Sequence, residues 1–221
     1  MLDWGWIADH FGAIVARTIQ HIQLAGIALA VGFAISFALA LVAIRWRSAY
    51  PPISGIAGIL YTIPSLAVFS AFIAITGFSI LTVEIPLVMY TLVILVRNIV
   101  AGFDGVPADV LEAATGMGYT RRERLIRIEL PLAVPLIVAG LRLASVSTIG
   151  LVTITAVVSD TFGGLGFFIK ERPFFLTEVL VGAIPSILLA VLADVLFSRV
   201  QRLLTPWSKR VAQPLLPEAA T

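Results

Sequence analysis

The side chains able to do chemistry are few, and most stand in one place. Residues 112–131 read EAATGMGYTRRERLIRIELP, and seven of these twenty are charged in a chain that is only 13% charged overall. Elsewhere Glu84, Arg97, Arg142 and Asp194 are isolated in apolar stretches, and the histidines are two, His10 and His21. The sequence has no Cys, which excludes disulfides and thiolate metal sites. The histidines lack zinc-ligand spacing with a nearby carboxylate, so no metal site is expected. No GxxxxGK[ST] run occurs, so the chain is not expected to be an ATPase itself. Gly163-Gly-Leu-Gly166 has no following Lys and reads as a tight turn, not a phosphate loop. No catalytic residue is expected.

The elements that hold the charged island must be membrane helices. Of 221 residues 59% are hydrophobic, and a soluble domain carries roughly a quarter charged residues. A soluble core of this size could not hide so much apolar surface, whereas the bilayer can. Roughly 20 apolar residues cross the hydrocarbon. On that length the spans fall at about 18–44, 53–76, 80–101, 132–158 and 177–199. Residues 1–17 lack the basic n-region of a signal peptide. Their Trp4, Trp6 and Phe11 suit an external interfacial segment. Five spans put the termini on opposite sides. With the C-terminus inside, eleven basic residues face the cytoplasm (Arg45, Arg47, Arg97, Arg121, Arg122, Arg124, Arg127, Arg199, Arg202, Lys209, Arg210) and three face out (Arg17, Lys170, Arg172). The positive-inside rule therefore places the N-terminus outside, the 103–131 loop inside and the 203–221 tail in the cytoplasm. A net charge of +2 placed in this way argues for membrane topology and against nucleic acid. The tail, with Pro214 and Pro217, is expected to fray.

Within the island, Asp109-Val-Leu-Glu112 and Thr120-Arg-Arg-Glu123 have capping-box form. Gly118 is suited to the left-handed conformation that ends a helix. The spacing predicts a helix over 109–117, a Gly break, and a second helix over 121–129 that Pro131 ends. Val110, Ala113, Ala114 and Met117 recur at i, i+3, i+4 and i+7, one apolar stripe. Nine residues make a helix about 13 Å long, marginal alone in water. Its stripe suits either a groove on a partner or the chain's own membrane domain.

The same segment resembles the cytoplasmic signature of ABC-importer permeases: EAA, three residues, Gly, nine residues, Ile-x-Leu-Pro. Here these are Glu112, Ala113, Ala114, Gly118, Ile128, Leu130 and Pro131. The wording YTIPSLAVF at 61–69, GMG at 116–118, PLAVPLIVAGLRLA at 131–144 and GGLGFFI at 163–169 is most similar to the osmoprotectant branch, which imports glycine betaine, choline, carnitine and related quaternary ammonium solutes. The resemblance implies an all-α polytopic fold of the MetI-like, type I importer class, five transmembrane helices with a cytoplasmic coupling helix, in a bacterial-type plasma (inner) membrane. It implies that Glu112, Ala113, Ala114, Met117, Gly118, Ile128, Leu130 and Pro131 couple the permease to a cytoplasmic ATPase dimer. The partner subunits then bind the ATP and Mg, and this chain needs no cofactor. A second copy or a sister permease would complete the pathway. An extracytoplasmic binding protein would deliver the solute, since no appended binding domain is visible, and the 160–176 segment is either its docking place or a plain turn. The signature also serves permeases for amino acids and anions; an ion-coupled carrier or a scaffold is the more distant alternative.

Other features admit two readings each. Arg142 is costly inside a membrane unless paired or in a wet cavity, so it is either a gate or interface charge or a structural cation with Asp194 or Glu84. Tyr61-Thr-Ile-Pro64-Ser65 interrupts a span, and broken helices line paths in transporters, although a packed Pro kink looks the same. Ser145, Ser147, Thr148, Thr153 and Thr155 suit helix packing as well as solute contact. The candidate path-lining set is Tyr61, Thr62, Pro64, Ser65, Arg142 and Thr148. The aromatic residues are scattered, so no aromatic cage is expected.

Overall fold

A computed structural model describes residues 2–206. It is all-helical, with no strand among the described residues. Four helices are long and apolar enough to cross a membrane, and a fifth crossing is made if a bent pair counts as one span. After α1 (Trp4–Asp9) come α2 (Phe11–Arg45), α3 (Tyr50–Thr62), α4 (Ser65–Thr76) and α5 (Ile80–Asp104). The charged loop holds α6 (Ala108–Gly116) and α7 (Arg121–Arg124), and then come α8 (Leu130–Thr155), α9 (Gly166–Glu171) and α10 (Leu176–Leu204).

The central element is α5, packed against α2, α3, α4 and α8. Its Leu95, Val96 and Ile99 are fully buried with Ala40 and Ala43 of α2 and Ala133 and Ala144 of α8. Toward the other end, Val83 and Leu87 meet Leu24, Ala28, Phe69 and Val152. Small residues set the helix spacing, as in membrane interiors where close backbone approach gives dispersion contact. A Cβ added at Gly140 of α8 would stand 2.6 Å from the Asn98 Cβ of α5. By contrast, α10 packs mainly on α8 and α9 and leaves Ile187, Leu188, Val191 and Leu192 exposed.

Three boundaries differ from the sequence expectation. The first long helix starts at Phe11, not Thr18, so 11–17 continue the span. Trp6 does not lie free in the interface: it stacks on His10 at 4.2 Å and meets Phe168 and Phe175 edge-on. The second span is broken, not kinked, with its halves bent by 95°. Pro64 has no N–H and drives Ile63 out of helical geometry, to φ −70 and ψ 131. The final helix runs on to Leu204, and the expectations for residues 207–221, Lys209 and Arg210 included, lie outside the described residues.

Candidate functional site

The loop between α5 and α8 is built by local hydrogen bonding. Pro107 occupies the N-cap of α6, so the helix starts one residue before Asp109 and the capping box expected from Asp109 and Glu112 does not form. Asp109 sits instead in the first turn, where a carboxylate favours the positive end of the helix dipole. At the other end Gly118 has φ +84. Its N–H donates to Thr115 C=O at 3.0 Å, and Tyr119 N–H donates to Ala114 C=O at 3.1 Å. This is a Schellman closure, which a residue with a Cβ would strain. The second capping box forms as expected. Glu123 N–H donates to Thr120 Oγ1 at 3.3 Å, and Thr120 N–H and hydroxyl donate to the Glu123 carboxylate at 3.0 and 2.7 Å. The backbone bond from Thr120 is the main reason the Glu123 carboxyl lies below its ordinary pKa.

Pro131 does not end the second helix. Leu125–Glu129 form a π-turn in which Leu130 N–H reaches back to Leu125 C=O. The wider turn absorbs the donor that Pro131 lacks, and the chain stays helical from Arg121 to Thr155. Ile128, Leu130 and Pro131 thus lie on the shaft of a continuous rod, not at a joint. Arg124 ties the rod to α6: its guanidinium donates to Thr115 Oγ1 at 3.2 Å and to Glu129 Oε1 at 2.8 Å. Arg47 and Asp104, 2.5 Å apart, clamp the base of α3 to the end of α5.

The apolar stripe of α6 is divided between two partners. Ala114 is 1% exposed and packs inward, so it is not part of an outer surface. Met117 is 69% exposed, and Glu112, Ala113 and Gly116 are exposed beside it. The expected knob is therefore Ala113 and Met117 rimmed by Glu112, seated on Ala114.

The candidate path residues do not form one site. Tyr61, Thr62 and Pro64 are exposed at the break between α3 and α4, with Ser65 half-buried. Thr148 is 1% exposed in the packed interior of α8 and faces no open surface, which removes it from the set. Arg142 is on the α10 side of α8. Its partner is Asp194, not Glu84: two hydrogen bonds of 2.9 and 3.0 Å make a fork between the helices. The pair opens on a groove of about 620 Å³ lined by Leu143, Val146 and Val191 among others. Ser145 donates to Arg142 C=O, and Thr155 to Val152 and Phe162 C=O, as packing hydroxyls do.

One constellation had no counterpart in the sequence reading. Arg17, Gln20 and His21 of α2 hold down the segment after α8. Arg17 donates to the carbonyls of Asp160 and Thr161 at 2.7 and 3.2 Å and lies 4.1 Å over the Phe167 ring. Gln20 donates to Thr161 C=O at 2.6 Å and accepts from Gly164 N–H at 3.1 Å. His21 accepts from Leu165 N–H on Nδ1 and bonds Ile149 C=O at 3.0 Å through Nε2, which assigns the proton to Nε2. The signal was present as three polar residues at i, i+3 and i+4 on an otherwise apolar helix. The GGLG run is a turn, as expected, and leads into α9.

The described residues thus form a bundle of long apolar helices with a short helix, α6, held at one end against a rod that runs from Arg121 to Thr155. Residues 31–210 match the family model described as "Binding-protein-dependent transport system inner membrane component". The chain belongs to this family. The permease is 32% identical to the choline transport system permease protein OpuBB of Bacillus subtilis (strain 168), over 88% of this chain and 90% of that one. It is also 32% identical to the osmoprotectant import permease protein OsmW of Salmonella typhimurium, over 91% of this chain and 96% of that one. Its fold is that of the membrane subunit in an inward-facing structure of the MetNI methionine ABC transporter, with a TM-score of 0.77 at 19% identity over 87% of this chain and 96% of that one. A crystal structure of an amino acid ABC transporter aligns with a TM-score of 0.70 at 14% identity, over 91% of this chain and 99% of that one. The expected fold class is thereby established as a type I ABC importer permease. The permease is the membrane subunit; ATP hydrolysis lies in a separate subunit of such systems.

Proposed function

We propose that this permease carries a quaternary ammonium compatible solute, such as choline, glycine betaine or carnitine, inward across the membrane, and that α6 is the coupling helix for a cytoplasmic ATPase dimer. The observation that carries the coupling reading is the exposed Met117 at the end of a helix whose neighbouring Ala114 is sealed against the permease. Burying one Met side chain stabilises an interface by about 1.5–3 kcal/mol, and the small Ala113 and Gly116 let a partner backbone approach. Movement of α6 then passes to α8 through Arg124 and the unbroken rod from Arg121 to Thr155. The cargo reading rests on the relatives named above, whose names specify choline and osmoprotectants.

In this reading the N-terminus and the Arg17–Gln20–His21 latch are external, and the charged loop and C-terminus are cytoplasmic. The latched 160–171 segment is then a fixed platform for an extracytoplasmic binding protein. One copy encloses no path, so a second copy or a sister permease stands opposite. Reconstitution in proteoliposomes with the ATPase and binding protein tests the whole reading. ATP-dependent accumulation of choline or glycine betaine is expected. Uptake that persists without ATP and follows a proton or sodium gradient would overturn the coupling reading; ATP-driven uptake of an amino acid with none of betaine or choline would overturn the cargo reading.

A further inference from the structure

The break in the second span brings together two aromatic rings that the sequence keeps 29 positions apart. Tyr61 ends α3 and Tyr90 belongs to α5; their ring centroids are 5.7 Å apart with the planes at 67°. The Tyr90 hydroxyl donates to Ile63 C=O at 2.5 Å, which fixes that ring in the angle of the break. Tyr90 is nearly buried, but Tyr61 is 46% exposed. By its 13 residues α3 rises about 20 Å along its axis, most of the way through a hydrocarbon layer of about 30 Å. Irregular backbone at that depth is tolerated only against protein or water, so the Ile63–Pro64 backbone beside Tyr61 faces a path or a partner, not lipid.

At the break the carbonyl end of α3 meets the amide end of α4, and Tyr61 stands on the carbonyl side. The C-terminal end of α3 carries the negative end of its dipole. Pro64 offers no N–H to Leu60 C=O, so the last turn keeps an unused carbonyl. The faces of tyrosine rings are electron-rich. Among the described residues, arginine guanidinium groups cover Phe167, Trp46, Trp6 and Phe175, and none is recorded over Tyr61. The closest basic side chain on this stretch, Arg97, lies against Gly58, about one turn further toward the cytoplasm.

We infer that the exposed face of Tyr61, backed by Tyr90 and the carbonyl end of α3, is a cation-recognition site that a quaternary ammonium group touches in transit. This rests on the proposed cargo and on the path-lining reading of the break. The site is one-sided and weak, as a transit contact must be if the solute is to leave it. A charged head group slides over a ring face and past carbonyl oxygens without losing all its water. It makes position 61 selective for cationic head groups, independently of the selection made by a binding protein.

The test is ATP-dependent choline uptake by the complete reconstituted importer carrying a graded series at position 61. Wild-type uptake is measured first. Absence of choline and betaine transport there would sink the cargo reading, and this site with it. Tyr61→Phe, which keeps the ring face, is expected to retain uptake. Phenylalanines bearing one, two and three fluorines at position 61 keep the shape and drain the face of charge. Uptake at low choline is expected to fall step by step, by roughly three- to thirtyfold across the series, the span of a cation–π contact. A flat series in an importer that still transports choline would refute the site while leaving the cargo reading intact.

Discussion

At the residue scale, the coupling knob is a division of labour within one helical turn. Ala114 is buried and Met117 stands out, although both belong to one stripe in the sequence. The periodicity showed which residues are apolar on one side, but not where the boundary between own core and partner falls along that side. Two substitutions separate them. Met117→Asp is expected to leave the permease folded and to weaken ATPase binding by roughly 10- to 100-fold, the equivalent of one lost Met burial, read by pull-down of the complex. Ala114→Leu overpacks a sealed contact and is expected to destabilise the loop by about 1–3 kcal/mol, read as faster hydrogen exchange over α6. Gly118→Val forces a β-branched residue to φ +84 and is expected to loosen the same amides. The Glu123 cap adds a pH dependence. Its carboxyl titrates lower when folded than when unfolded, because Thr120 N–H favours the charged form. Its contribution is therefore complete above the ordinary Glu value of about 4.3 and fades as pH drops through the lower folded value. The protection factors of residues 120–124, corrected for intrinsic exchange at each pH, are expected to fall in that acid window in the wild type and to be flat with pH in Glu123→Ala.

At the element scale, the helices were legible from hydropathy because length and polarity bound a span directly. What remained hidden lay where two local rules compete. Pro131 reads as a stop, but a π-turn just before it carries the helix through. Pro64 reads as a kink, but with Ile63 extended it becomes a 95° break. Such outcomes depend on neighbours far along the chain, here Tyr90 bonding Ile63. The Arg142–Asp194 fork joins α8 to α10, and the sequence could name the partners only as alternatives. An intramembrane charge left alone is costly, so Asp194→Asn or Arg142→Leu alone is expected to lower the yield and thermal stability of detergent-extracted permease. The exchanged pair Arg142→Asp with Asp194→Arg is expected to recover part of both. Equal loss in the single and exchanged variants would mean that the fork geometry, and not charge compensation, holds the helices.

For the whole molecule, the two ends have opposite mechanical characters. One end is tied by Arg17, Gln20 and His21 to the segment that follows α8. The other end presents a small knob on α6, which Arg124 ties to the 35-residue rod. A fixed outer platform and a movable inner handle suit a subunit that is driven from the cytoplasm and loaded from outside. The handle was legible in the sequence because its residues are local, within twenty positions. The platform was not, because it joins residues more than 120 positions apart, and a single sequence records no such pairing. The claim that most needs testing is that the Met117 knob seats on an ATPase. The chain has no native cysteine, so Met117→Cys gives a single reporter. Maleimide labelling of membranes holding the permease alone is expected to be fast. Co-assembly with the cognate ATPase is expected to suppress it strongly, while a cysteine at exposed Ile75 labels equally in both. Unchanged labelling at position 117 in a complex that hydrolyses ATP and transports would contradict the account.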